Sequence, residues 1–122
     1  MKTFLTILVI LFFASCSDQK SQPPQKKIKT ITLKATIQKS TSQLVLTNED
    51  TFDWKDVKIV INDDYKYTIE SIPMLSEQRI GFMKFANNDN KLLDPFEYKI
   101  ADVQIYCKTA SGNDGFVSAS FK

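Results

Sequence analysis

Phe52-Asp53-Trp54-Lys55-Asp56-Val57-Lys58-Ile59-Val60-Ile61-Asn62-Asp63-Asp64-Tyr65-Lys66-Tyr67-Thr68-Ile69-Glu70 holds two runs of alternating side chains around a polar centre. Val57, Ile59 and Ile61 fall on one side of an extended chain, with Lys58 and Val60 on the other. Tyr65, Tyr67 and Ile69 then alternate with Lys66, Thr68 and Glu70. Successive side chains of a strand point to opposite faces, so each run predicts a strand, and Asn62-Asp63-Asp64 predicts the turn of a hairpin. Phe52 and Trp54 lead into the first run, where the indole is expected to plug one end of a core and to need one hydrogen-bond partner.

The same period continues in both directions. Toward the amino terminus, Leu44 and Leu46 share a face before the turn Asn48-Glu49-Asp50, and Ile31, Leu33, Ala35 and Ile37 alternate with Thr32, Lys34, Thr36 and Gln38 as a single half-buried strand. Toward the carboxyl terminus, Ser76-Glu77-Gln78 precedes Ile80 and Phe82, and Asn87-Asn88-Asp89-Asn90 marks a long loop. Ala101, Val103, Ile105 and Cys107 then share a face, Asn113-Asp114-Gly115 turns the chain, and Phe116 to Phe121 forms the last strand. No window holds apolar residues at helical spacing, and turn signals recur about every ten residues. The expected fold is all-β: one sandwich of about seven or eight antiparallel strands over residues 29–122, with a small barrel as the alternative.

Composition limits the chemistry. Of 122 residues, 43% are hydrophobic and 25% charged, as in a globular domain, and the net charge is only +2 with lysines spread among acids. A nucleic-acid binder carries a dense basic stripe, so that partner is excluded. Histidine is absent, which removes the commonest general base, the commonest metal ligand and any Ser-His or Cys-His pair; the expectation is a non-enzyme without a cofactor. Cys107 lies in phase with Val103 and Ile105 and is expected as a buried, unreactive thiol.

The acids Glu49, Asp50, Asp53, Asp56, Asp63 and Asp64 gather around two turns at opposite ends of one strand. Turn chemistry accounts for them better than a calcium site does, and no metal ligand is assigned. Tyr65, Tyr67, Tyr98 and Tyr106 are expected to pack across strands; exposed, they would instead offer a platform for a sugar or peptide.

The first residues read as an address. Lys2 is followed by an apolar run from Thr3 to Phe13, far short of the roughly 20 residues of a membrane-spanning helix. That length fits the core of a signal peptide over residues 1–15. Phe13-Ala14-Ser15-Cys16 resembles the lipobox of bacterial lipoproteins, with Phe13 bulkier than the usual aliphatic residue. The resemblance implies cleavage between Ser15 and Cys16 and a diacylglycerol thioether on Cys16, since only a thiol accepts the lipid. It further implies a membrane partner through that lipid and a place in the cell envelope; Ser17 after the cysteine points to the outer membrane. Residues 17–27 are polar with Pro23-Pro24, so residues 16–28 read as the lipidated cysteine and a flexible tether able to reach about 30 Å at about 3.1 Å per residue.

The stretch from Thr47 to Asn62, with its Asn/Asp turn, Phe-x-Trp and Val/Ile strand, and the later Leu93-Asp94-Pro95-Phe96 together resemble a group of small immunoglobulin-like extracytoplasmic domains of bacteria. The resemblance spans residues 42–122 and implies an envelope role more than an activity. The chain departs from antibody-type domains in lacking a core cysteine pair, so its stability must come from packing. The function expected is a lipid-anchored envelope protein with a non-enzymatic binding or structural domain that meets another envelope protein. The alternative is an exported module binding a small ligand, sugar or metal ion.

Overall fold

The computed structural model describes residues 29–121, and the expected signal peptide, Ser15, Cys16 and the expected tether lie outside the described residues. Eight strands follow one another: β1 (Thr30–Thr32), β2 (Ala35–Lys39), β3 (Gln43–Asn48), β4 (Trp54–Ile61), β5 (Tyr65–Ile72), β6 (Glu77–Gly81), β7 (Asp102–Lys108) and β8 (Asp114–Ser120). They form a five-stranded sheet in the order β1-β8-β7-β4-β5, which packs on a three-stranded sheet in the order β2-β3-β6. From β2 onward this is the immunoglobulin-like order of an all-β sandwich. Leu44, Leu46 and Ile80 from the smaller sheet meet Val57, Ile59, Ile61, Val103 and Ile105 from the larger one in a single core. No helix among the described residues is long and apolar enough to cross a membrane.

The expected hairpin is β4–β5. Asn62 and Asp63 take positive φ values of 54° and 57°, which short polar side chains tolerate, and the Asp64 N–H donates to the Ile61 carbonyl at 3.1 Å. Trp54 and Val57 are an odd number of residues apart, yet both are buried. Asp56 makes this compatible: its φ of 47° leaves the extended region, and β4 slips by one residue against β7 between Lys55 and Lys58. Val60, expected on the outer face with Lys58, does lie opposite Lys66 and Gln104 but is buried nonetheless.

Four expectations change. The alternating run Ile31–Ile37 is two strands, because the chain leaves the large sheet at Leu33-Lys34 and joins the small one. The alternation persists through the crossing because both sheets face the same core, into which Leu33 is plugged. The strands are not all antiparallel: β1 runs parallel to β8, with the Asp114 N–H donating to Lys29 O and the Leu33 N–H to Phe116 O, both at 3.0 Å. The late turn is Thr109–Asn113, where Gly112 has φ 84°, and Asp114-Gly115 already belongs to β8. Gly115 is needed for space: a Cβ there would lie 2.4 Å from Leu33 Cδ2 and 3.1 Å from Cys107 Sγ. Ala101, for its part, is exposed just before β7 and does not join the face of Val103, Ile105 and Cys107.

At the end of the sandwich where β3 finishes and β4 begins, here the upper end, Asn48 and Asp50 are buried. Asn48 Nδ2 donates to the carbonyls of Phe52 (3.1 Å), Ile72 (3.1 Å) and Pro73 (3.2 Å), while its Oδ1 accepts the Asp50 N–H at 2.9 Å. Asp50 Oδ2 accepts both the Trp54 indole N–H at 3.0 Å and the Lys34 N–H at 3.1 Å. The Lys34 carbonyl accepts the Glu49 N–H at 2.9 Å, so the crossing point between the sheets is held on both sides.

Trp54 is fully buried, and Trp54→Ala should cost about 3–5 kcal/mol in chemical denaturation. The wild-type fluorescence should be blue-shifted and poorly quenched by iodide. Because both bonds to Asp50 end on one oxygen, Asp50→Asn should retain most of the stability. Asp50→Leu orphans the buried indole N–H and the part-buried Lys34 N–H and should cost about 3 kcal/mol.

Candidate functional site

The outer face of the large sheet carries an open depression of about 480 Å³ whose lining includes Asp56, Lys58, Tyr106, Lys108, Asp114 and Phe116. Strand pairing assembles it. Tyr106 lies opposite Phe116 across β7–β8, with ring centres 5.0 Å apart, and opposite Lys58 across β7–β4, whose Nζ stands 5.4 Å above the Tyr106 ring. Lys108 lies opposite Asp114 and is ion-paired with it. The Tyr106 hydroxyl donates to Gln104 Oε1 at 3.0 Å, which fixes the ring along the strand. The Asp56 slip in β4 places that side chain at the rim, where an uninterrupted strand would continue its alternation. The result is an aromatic pair bordered by two lysines and two acids. Such a surface stacks on a flat or apolar ligand while its rim makes hydrogen bonds.

The tyrosines divide. Tyr65 is buried and Tyr67 packs on Phe85 with ring centres 5.5 Å apart, as expected. Tyr98 and Tyr106 are 38% and 39% exposed, and for them cross-strand or neighbour packing leaves one ring surface to solvent. The acids divide too. Asp50 holds Trp54, Asp53 accepts the Met74 N–H at 2.9 Å, and Asp63 and Asp64 stand at the far end of β4. No group of three or more side chains suited to a metal ion exists among the described residues. In the long loop, Asn87 Oδ1 accepts the N–H groups of Asp89 and Lys91 at 3.0 and 2.9 Å, the local satisfaction expected of it. Sequence reasoning placed Asn48 and Asp50 in a turn and did not foresee their burial; the available signal was an Asn-x-Asp ending four residues before the only tryptophan.

Cys107 is a buried free thiol on the inner face, backed by Leu33 and Gly115. Burial pushes it up to about 11 from 9.0, with the Asp50 and Asp114 carboxylates acting in the same direction. Native chain at pH 8 should therefore react with a disulfide reagent about a hundredfold more slowly than unfolded chain, Cys107→Ala supplying the blank. Between pH 9 and 11 the unfolded thiol has lost its proton and the folded one has not, so this contribution is complete below pH 9 and falls as pH rises through about 11. Denaturation midpoints of wild type and Cys107→Ala should thus converge or cross over that window. The chain matches no protein-family model and no curated protein.

Proposed function

We propose that the chain is a lipid-anchored cell-envelope protein whose β-sandwich is a non-enzymatic binding domain, with the Tyr106–Phe116 hollow as the face that meets another envelope component. The hollow carries this reading: the exposed ring of Tyr106, backed by the half-buried ring of Phe116 on a rigid sheet and bordered by charges of both signs, suits recognition. The lack of histidine supports a binding role over catalysis. The lipobox-like Phe13-Ala14-Ser15-Cys16 supports the anchor, and two or three acyl chains at about 0.8 kcal/mol per buried methylene would hold it without a membrane-spanning segment. Neutral balance in the mature chain, 15 basic against 14 acidic residues once Lys2 is removed, argues against a nucleic-acid partner.

A second reading, an exported module for a small ligand or sugar, is favoured by the exposure of Tyr106 and by the hollow's volume of about 480 Å³. Such sites commonly measure about 300–1,000 Å³. A photo-crosslinking residue at position 116 in living cells separates the two. A discrete protein adduct, absent with the crosslinker at exposed Arg79 on the opposite sheet, supports the first reading. No adduct, together with saturable saccharide binding abolished by Tyr106→Ala, supports the second.

The anchor is tested separately. Labelled fatty acid should enter the wild-type chain, whereas Cys16→Ala should lose all label and accumulate as precursor or soluble product. Label retained by the variant refutes the lipid assignment.

A further inference from the structure

At the lower end of the sandwich, opposite Lys29, the turn Asp94-Pro95-Phe96-Glu97-Tyr98 displays a ring in solvent on a backbone fixed at both sides. Leu93 before it and Ile100 after it are buried in the core, and the Leu93 N–H donates to Phe85 O at 2.9 Å. The N–H groups of Glu97 and Tyr98 donate to the Asp94 carbonyl at 3.1 and 3.0 Å, and the Phe96 N–H donates to Asp94 Oδ1 at 2.9 Å. Asn62 clamps the exit: its Nδ2 donates to Lys99 O at 2.8 Å and its Oδ1 accepts the Ala101 N–H at 2.8 Å. On this frame Phe96 is 86% exposed. An aromatic ring held out by a rigid backbone loses little freedom when it is covered, which is why such residues dominate protein interfaces.

Beside the ring is a hollow of about 260 Å³ with buried Phe82 at its base and Lys39 and Lys99 among its lining residues. No acid lines it, and neither lysine forms an ion pair among the described residues. Lys39 Nζ stands 5.7 Å from the centre of the Phe121 ring, and Glu97 is exposed outside the lining.

We propose that this hollow docks an extended acidic segment of another protein, with an apolar side chain of the segment against Phe96 and Phe82 and its carboxylates on Lys39 and Lys99. Two ammonium groups around an apolar hollow complement an anion with an apolar neighbour, and each carboxylate placed there gains a charge-assisted bond. The surface is distinct from the Tyr106–Phe116 hollow, and the inference is independent of lipid attachment.

Peptides selected from a random display library on the immobilised full chain test it, with affinities of the selected peptides measured by fluorescence anisotropy. The expected peptides carry Asp or Glu around a Leu, Ile or Phe and bind more weakly as salt rises. Phe96→Ala should weaken them at least tenfold, Lys39→Glu with Lys99→Glu should abolish binding, and Thr68→Ala should change it less than twofold. Phe96, Lys39 and Lys99 are exposed, so the variants should keep the wild-type melting curve. Failure to select any peptide, selection of peptides without acids, or indifference to Phe96→Ala overturns the proposal. So does binding to phosphatidylglycerol vesicles through these three residues without peptide selection, which would assign the surface to anionic lipid.

Discussion

A single buried carboxylate oxygen, Asp50 Oδ2, joins the parts of this sandwich that no strand pairing connects. It takes the indole N–H of Trp54 on β4 and the backbone N–H of Lys34 where the chain changes sheets. Asn48, two residues earlier, ties the end of β3 to the carbonyls of Ile72 and Pro73 at the end of β5. Strand ladders hold each sheet together, but apolar packing between sheets is non-directional and does not fix how their ends meet. A satisfied polar network inside a low-dielectric end is directional, and here it selects one alignment of the two sheets. With Cys107 a buried free thiol and no disulfide among the described residues, that network and the apolar core carry the alignment together.

Much of the fold was legible because strands announce themselves through their period. The β4–β5 hairpin and the inward face of β7 from Val103 to Cys107 follow from alternation and turn residues, and the burial of Trp54 from its place beside Phe52 at the head of that hairpin. What alternation cannot report is which sheet a strand joins. The crossing at Leu33-Lys34 leaves the period intact because inward-facing residues remain inward in either sheet, and the parallel pairing of β1 with β8 links residues more than 80 positions apart. The slip at Asp56 did leave a trace, since Trp54 and Val57 differ in parity and cannot share a face of a regular strand.

The candidate surfaces were less legible, for a different physical reason. Tyr106 and Phe96 are apolar, and an apolar residue in a pattern predicts burial. What surrounds them depends on residues distant in sequence: Phe116 and Lys58 from paired strands complete the face around Tyr106, and Lys39 and Phe82 form the hollow beside Phe96. Cys107 was legible because its strand phase alone determined its surroundings.

The parallel edge strand β1 also determines how the domain answers a pull. Tension applied at Lys29 and opposed at the lower end runs along the axis of β1, so its bonds to β8 are strained together in shear and not peeled apart one after another. Behind them Leu33 is lodged in the gap that Gly115 leaves open, a latch that must be drawn past backbone before the strand can slide. A three-residue strand thereby becomes the mechanical fastening of the domain, placed at the end where the chain enters it.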